Sequence, residues 1–108
     1  MSIESKYSVV ITTTSSEELA DELAKKILGA KLAACVQLQK IKSHYIWKGE
    51  ISSDTEVLLL IKTRTDLFVD LRTFIQKNHT YETPEIIELP VIDGSSGYLK
   101  WIDEVTSA

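Results

Sequence analysis

The pattern of apolar and polar positions is most distinctive in the middle of the chain. Residues 57–61 are all apolar and lie between the polar segments 55–56 and 62–64. This composition predicts a β-strand, whose side chains alternate between two faces of a sheet. Helices of a small two-layer domain cover only one face, so the second apolar face predicts contact with another copy of the chain. Two or three such side chains left in water would forgo roughly 3–9 kcal/mol.

The first part of the chain predicts a strand followed by a helix. Residues 7–14 are rich in β-branched side chains. Ser15 and Glu18 match a capping box at a helix start, and Gly29 is placed to end the helix. The buried face of this helix is expected to contain Leu19, Leu23 and Ile27.

A long hairpin is predicted next. An extended segment starts at Leu32, and its alternation slips near residues 40–42, as a β-bulge would cause. Residues 44–47 resume as a strand, and residues 48–50 suit a turn that leads back to the central strand. Strands of this length are expected to project a hairpin beyond the main sheet.

The second half repeats the strand and helix pattern. Thr65-Asp66 suits the start of a helix, residues 78–84 a loop, and residues 85–89 a short strand closed by Pro90. The buried face of the helix is expected to contain Leu67, Phe68, Leu71, Phe74 and Ile75. A short terminal helix is expected around Tyr98, Ile102 and Val105. The order β-α-β-β-α-β predicts an α+β, ferredoxin-like fold with an extra C-terminal helix.

Composition narrows the class of protein. The chain has 108 residues, 44% of them hydrophobic, and a net charge of -4, so one domain over residues 1–108 is expected. The absence of a basic tract argues against nucleic acid, and no apolar run reaches the length of a membrane span. With one cysteine and no signal-peptide pattern at the N-terminus, we expect a cytoplasmic protein.

The clearest candidate chemistry lies in the loop at His79. Imidazole, the phenol of Tyr81 and the carboxylates of Glu82 and Glu85 can bind a metal or transfer a proton. The alternative is a solvated loop held by Pro84 and a packed Tyr81.

Other candidates have structural alternatives. Cys35 is either a soft metal ligand or a buried strand residue, and the structural role is favoured. Lys62 and its neighbours could hold an anion or form a solvated strand end. Tyr45 and Trp47 share one face of the hairpin and favour subunit contacts over a ligand platform. Trp101 is favoured as a packing or interface residue.

Several segments together resemble the CutA family of divalent-cation tolerance proteins. They span nearly the whole chain in the family's order: residues 31–36, 45–51, 56–63, 79–86, 89–90 and 98–102. The resemblance implies a homotrimer similar to the PII signalling proteins, linked to tolerance of copper and other divalent metals. It implies no enzymatic reaction and no required cofactor, with Cu²⁺ or another divalent cation as the candidate ligand.

The candidate sites follow from the resemblance and the residues together. The candidate metal ligands are His79, Glu82 and Cys35. The candidate contacts to a small ligand are Lys62, Tyr81 and Glu85. The candidate trimer contacts are Tyr45, Trp47, Val57, Leu59, Ile61 and Trp101.

The chain departs from the family pattern at three positions. Thr80 stands where the family usually has a proline, Thr12 where some bacterial members have cysteine, and Asn78 where those members have histidine. Of that soft-ligand set only His79 is present, which predicts a weak copper site.

The sequence leaves more than one function open. The first is a trimeric, PII-like binding protein in metal homeostasis. The second is a trimeric scaffold that anchors a partner protein without physiological metal binding. A small hydrolase would need a glycine-rich anion cradle, and an RNA-binding sheet would need exposed aromatics on its face; neither pattern is present.

Overall fold

The chain forms one sheet with helices on both of its sides in a computed structural model that describes residues 4–107. The apolar stripes of its segments explain where the helices and strands form. In chain order the elements are β1 (Tyr7–Thr14), α1 (Glu17–Gly29), β2 (Cys35–Trp47), β3 (Glu50–Arg64), a 3-10 turn (Thr65–Leu67), α2 (Phe68–Asn78), β4 (Ile87–Pro90) and α3 (Ser96–Thr106).

The four strands form an antiparallel sheet in the order β2-β3-β1-β4. The central strand is β3, as the apolar run predicted, and it pairs with β1 from Val57 to Arg64. This strand order and the two helices packed on one side confirm the predicted α+β, ferredoxin-like architecture.

One face of β3 forms the core beneath α1 and α2. Val57, Leu59 and Ile61 are 4%, 0% and 0% exposed within a single chain. They belong to the same apolar cluster as helix residues, among them Leu23, Ile27, Leu71 and Ile75. The prediction that Val57, Leu59 and Ile61 contact another subunit is therefore wrong, because no exposed area is left for a second copy to bury.

The opposite face of the sheet is also apolar, and it is only partly covered. Leu58 and Leu60 point to this side and are half-buried. Beside them, Ile87 and Leu89 of β4 are 48% and 43% exposed. We call this surface, formed by Val9, Ile11, Leu58, Leu60, Ile87 and Leu89, the open face.

Helix α3 covers one end of the open face. The hydroxyl of Tyr7 on β1 donates to Asp103 at 2.7 Å, and the ammonium of Lys62 lies 5.7 Å from the ring centroid of Tyr98. The sequence analysis expected helices to cover only one face of the sheet. The structure differs, because the terminal helix crosses to the other side.

The hairpin projects from the sheet as predicted, but without the bulge. Every residue of β2 from Cys35 to Trp47 has a partner on β3, so the register does not shift at residues 40–42. The apolar positions change faces because the outer half of the hairpin extends beyond the helices. Lys48 and Gly49 have φ values of 50° and 77°, as a two-residue type I′ turn requires.

The helix starts differ from the predictions by a few residues. The side chain of Ser16, not Ser15, accepts from the backbone N–H of Leu19 at 3.2 Å, so Glu18 does not complete a capping box. The segment at Thr65 forms a 3-10 turn without a side-chain cap, and α2 begins at Phe68. In both cases the local pattern identified the helix and misplaced its first turn.

A buried hydroxyl in the core gives a stability prediction. Thr12 is 0% exposed, and its Oγ1 has no hydrogen-bond partner among the described residues. Thr12→Val keeps the shape of the side chain, so we expect the free energy of unfolding in urea to stay unchanged or rise by about 1 kcal/mol.

The matched control is Thr63, which is equally buried on the neighbouring strand. Its Oγ1 donates to the Leu32 carbonyl at 2.7 Å. Thr63→Val should lower the free energy of unfolding by about 1–3 kcal/mol, because the carbonyl loses its donor. Equal losses in the two variants would contradict the assignment of Thr12 as unsatisfied.

Candidate functional site

A wide surface groove runs along the projecting hairpin. It has a volume of about 780 Å³ and is formed by the hairpin, the end of β1 and the loop after α2. Aromatic and acidic side chains dominate its lining: Tyr45, Trp47, Asp54, Glu56, Tyr81, Glu82 and Glu85. We call this the hairpin groove.

His79 fixes the loop that forms one wall of the groove. Its Nδ1 accepts from the backbone N–H of Tyr81 at 2.9 Å, and its Nε2 lies 2.6 Å from the Thr13 carbonyl. Because Nδ1 is an acceptor, Nε2 must carry the proton and donate to that carbonyl. The imidazole therefore connects the loop to β1, and both ring nitrogens are engaged.

Tyr81 closes the groove against the hairpin. Its hydroxyl donates to Glu56 at 2.9 Å, and its ring centroid lies 4.8 Å from that of His79. Burial, followed by the hydrogen bond to Glu56 and the nearby negative charges, raises the pKa of Tyr81 to about 12. The phenol is therefore neutral and donating across the physiological range.

A second phenol and carboxylate pair lies further along the hairpin. The Tyr45 hydroxyl donates to Asp54, and this hydrogen bond raises the pKa of Tyr45 above its usual value. Tyr45 and Trp47 remain 39% and 62% exposed, so they are available for contact with a ligand or a subunit.

The predicted metal ligands are not brought together within one chain. Cys35 pairs with Lys62, whereas His79 bonds to Thr13, whose partner is Leu58. These positions on β3 are separated by about 13 Å of strand. Among residues 4–107, no three His, Cys, Asp or Glu side chains are placed to hold a metal ion. His79, Glu82 and Cys35 therefore do not form a metal site within one chain, and a metal site between chains stays a prediction.

The predicted small-ligand residues are divided between two places. Tyr81 and Glu85 line the hairpin groove, together with Glu82. Lys62 lies at the other end of the open face beside Tyr98, whose ring centroid lies 5.5 Å from that of the tilted Trp101 ring. Lys62 is therefore not part of this groove.

Sequence reasoning missed Asp54 and Glu56 as groove residues. Both lie on the same face of the hairpin as Tyr45, because Ser43 pairs with Asp54 and Ile41 with Glu56. Following the alternation of the two faces of β3 back towards the turn would have placed both carboxylates on the face of Tyr45. The β-bulge expected at residues 40–42 obscured this register.

The raised pKa of Tyr81 can be measured. The phenolate absorbance of the wild type minus that of Tyr81→Phe should give a midpoint near 12 instead of the ordinary 10.0. Folding raises this pKa, so the associated stability is present below pH 10 and lost as the pH rises through 12.

Glu56→Gln should move the midpoint of Tyr81 downward, because the acceptor loses its charge. Glu104→Gln on the exposed surface of α3 makes the same charge change outside the groove and should leave the midpoint in place. If the titration midpoint of Tyr81 is the same in Glu56→Gln as in the wild type, the hydrogen bond between Tyr81 and Glu56 is contradicted.

Fold and site together define the class of protein. The chain is a ferredoxin-like α+β protein with a projecting hairpin, a partly open sheet face and an acidic, aromatic groove. Residues 8–105 match the family model described as CutA1 divalent ion tolerance protein, so the chain belongs to the CutA family, as the sequence predicted.

Relatives and solved structures agree with this assignment. The chain is 45% identical over 96 residues to the divalent-cation tolerance protein CutA of Yersinia pestis, covering 88% of this chain and 81% of that protein. It is 42% identical over 102 residues to human protein CutA, covering 94% of this chain and 57% of that protein. The structure matches that of the periplasmic divalent cation tolerance protein CutA from Archaeoglobus fulgidus with a TM-score of 0.92 and 38% identity, covering 94% of this chain and 99% of that chain. CutA1 from Oryza sativa matches with TM-score 0.92 and 39% identity, covering 98% of each chain.

The relatives differ in length and in compartment. The chain spans 58% and 57% of the mouse and human proteins. One relative, from Arabidopsis thaliana, is named chloroplastic, and the Archaeoglobus protein is named periplasmic. Within residues 4–107, the helices are too short or too polar to cross a bilayer. A cytoplasmic location for this chain stays a prediction.

Proposed function

We propose that the chain acts as a homotrimer of the PII-like type in the cellular response to divalent cations, and that it binds a small ligand in the hairpin groove. The observation that supports assembly is the open face. Leu58 and Leu60 are half-buried there, beside Ile87 and Leu89 that are 48% and 43% exposed. At about 25 cal/mol per Å², covering such a surface favours association.

The projecting hairpin supplies further area for assembly. Ile46, Trp47 and Ile51 near its tip are 69%, 62% and 80% exposed. A contact that covers both the hairpin and the open face would remove most of the exposed apolar surface on that side. Tyr45, Trp47 and Trp101 keep exposed area and remain proposed trimer contacts.

The role in cation tolerance is carried over from the names of the relatives. We propose it without a copper site in one chain, because His79 uses both ring nitrogens and Cys35 lies at a different place along the sheet. The proposal contains no catalytic step.

Sedimentation tests the assembly. At micromolar concentration, the wild type should sediment at three times the mass of the 12.1 kDa chain. A stable, soluble single chain under these conditions would overturn the trimer.

Calorimetric titration tests whether the chain binds a metal ion. Cu²⁺ and Zn²⁺ should give no tight, stoichiometric heat, and the isotherm should be the same for His79→Ala. Stoichiometric binding that disappears in His79→Ala would restore His79 as a ligand and contradict the proposal.

The scaffold function remains the second candidate, favoured by apolar side chains outside both the groove and the hairpin. Ile92 and Val69 are 83% and 58% exposed. Rescue of metal tolerance in cells that lack their own relative of this chain separates the candidates. A ligand-binding role predicts that Glu56→Gln fails to rescue growth, whereas a scaffold role predicts rescue equal to the wild type.

A further inference from the structure

We propose that Asp93-Gly94 is a site of spontaneous aspartate isomerisation, a covalent change of the backbone that loosens the start of α3. This modification requires neither the trimer nor a ligand in the hairpin groove. It is supported by the sequence at this position, the exposure of the loop, the contact between the reacting groups and the way in which the loop is held at both ends.

Asp93 is the one aspartate of the chain that precedes a glycine. The following residue matters because its backbone nitrogen is the nucleophile of this reaction, and a glycine hinders the approach of that nitrogen least. The five other aspartates precede larger residues and lie in helices, a strand or the 3-10 turn, whose backbone conformation is fixed: Asp21, Asp54, Asp66, Asp70 and Asp103.

The loop that contains Asp93 is exposed and irregular. Asp93 and Gly94 are both exposed, and residues 91–95 have no regular secondary structure. The N–H of Gly94 donates to Oδ1 of Asp93 at 2.8 Å and, within the described part of the chain, to no backbone carbonyl. Because Oδ1 is bonded to Cγ, this contact also keeps the nitrogen close to the carbon that it attacks.

The reaction needs no cofactor and no oxidant. With the carboxyl group of Asp93 in its acid form, the nitrogen of Gly94 forms a bond to Cγ, the bond from Cγ to the hydroxyl breaks, and the hydroxyl leaves as water with the proton of the nitrogen. The product is a cyclic succinimide. Solvent water then cleaves one of its two C–N bonds. Cleavage at Cγ restores aspartate, and cleavage at the α-carbonyl gives isoaspartate, whose backbone contains one additional methylene.

The additional methylene strains the loop because both of its ends are held. The N–H of Val91 donates to the Tyr7 carbonyl at 3.0 Å, and the N–H of Leu99 donates to the Ser95 carbonyl at 3.1 Å. Gly94 lies against the first turn of α3, since a methyl group added to it would be 3.3 Å from Cδ2 of Leu99. Among the described residues, the side chain of Ser95 makes no capping hydrogen bond. The start of α3 is therefore the part that yields.

Peptide mapping of the aged full-length chain tests the modification. Trypsin releases residues 78–100 as one peptide, in which Asp93 is the one aspartate. Electron-based fragmentation should show isoaspartate at Asp93 with an unchanged peptide mass, whereas deamidation of Asn78 would raise that mass. Isoaspartate should accumulate faster at Asp93 than at the other aspartates. Equal accumulation at all of them would overturn the inference.

Two variants identify the mechanism. Asp93→Glu keeps the charge, but its longer side chain would have to close a larger ring, so the isomerised product should be absent. Asp93→Asn closes the same succinimide with ammonia as the leaving group, and it should react faster than the wild type. Isomerisation in Asp93→Glu, or a slower reaction in Asp93→Asn, would contradict attack by the nitrogen of Gly94.

A synthetic peptide of residues 89–97 gives the rate of the same bond without the fold. The native chain should react within about tenfold of this peptide, because the loop is exposed and the N–H of Gly94 has no competing backbone acceptor among the described residues. A slower native rate would mean that the fold protects the bond, and the inference would be wrong.

Hydrogen exchange tests the consequence for α3. In the isomerised chain, purified by chromatography, the amide of Leu99 should exchange at least about tenfold faster, because its bond to the Ser95 carbonyl opens more often. The matched control is the amide of Ala20, which donates to the Ser16 carbonyl at 3.1 Å at the start of α1 and should keep its rate. An unchanged rate at Leu99, or equal acceleration of both amides, would refute a local effect on α3.

Discussion

Replacing Leu59 by alanine is expected to lower the free energy of unfolding by about 2–5 kcal/mol. Leu59 is 0% exposed at the centre of the sheet, between Thr12 of β1 and Leu38 of β2. Truncation would leave a cavity beneath α1 and α2 that neighbouring strands cannot close without losing register. Urea denaturation measured at several protein concentrations gives the value, since assembly makes apparent stability depend on concentration.

The neighbouring Leu60 is the matched control, because it has the same side chain on the opposite face of the same strand. It is only half-buried in one chain. Leu60→Ala should lower the stability less than Leu59→Ala at low protein concentration, where contacts between chains contribute least. A larger loss for Leu60→Ala under those conditions would contradict the assignment of the two faces.

The second large effect is expected for assembly. Leu60→Glu places a charge in the middle of the open face, where the single chain leaves it in contact with water and the proposed trimer would bury it without a partner. Burying an unpaired charge costs several kcal/mol. We therefore expect sedimentation at micromolar concentration to shift from the trimer to the 12.1 kDa chain, with the secondary structure retained.

The control for this variant is Val69→Glu. Val69 lies on α2, on the other side of the sheet, and is 58% exposed. The same change from an apolar to an acidic side chain there should leave the trimer intact. Dissociation by both variants would mean that the effect comes from net charge instead of the open face.

Much of the fold could be predicted because its signals are local. The apolar run of β3 and the apolar side chains at every fourth residue of α1 indicate directly which residues are buried. The Lys48-Gly49 turn requires positive φ values, which its sequence suits. The helix starts were misplaced by a few residues, because Ser15 and Ser16 are equally good caps by sequence. Which of the two hydroxyls caps the helix depends on the path of the chain out of β1.

The site was harder to predict because its residues come from distant segments. His79 was correctly singled out, but its role is to connect the loop to Thr13, and only the folded chain brings these two residues together. Glu56 and Tyr81 are likewise joined by a hydrogen bond across 25 sequence positions. The candidate metal ligands were grouped by the chemistry of their side chains. Within one chain, the separation of Cys35 from His79 along the sheet prevents them from sharing one metal ion.

The sequence by itself determined the family, the order of helices and strands, and the existence of a second apolar face on β3, because these depend on residue identity and short-range periodicity. The tertiary structure decided which leucines of β3 lie in the core, which end of the open face α3 covers, and which carboxylates meet the tyrosines of the hairpin groove. These features depend on strand register and on the packing of a terminal helix. Both are fixed by contacts between segments far apart in the chain, which no local pattern encodes.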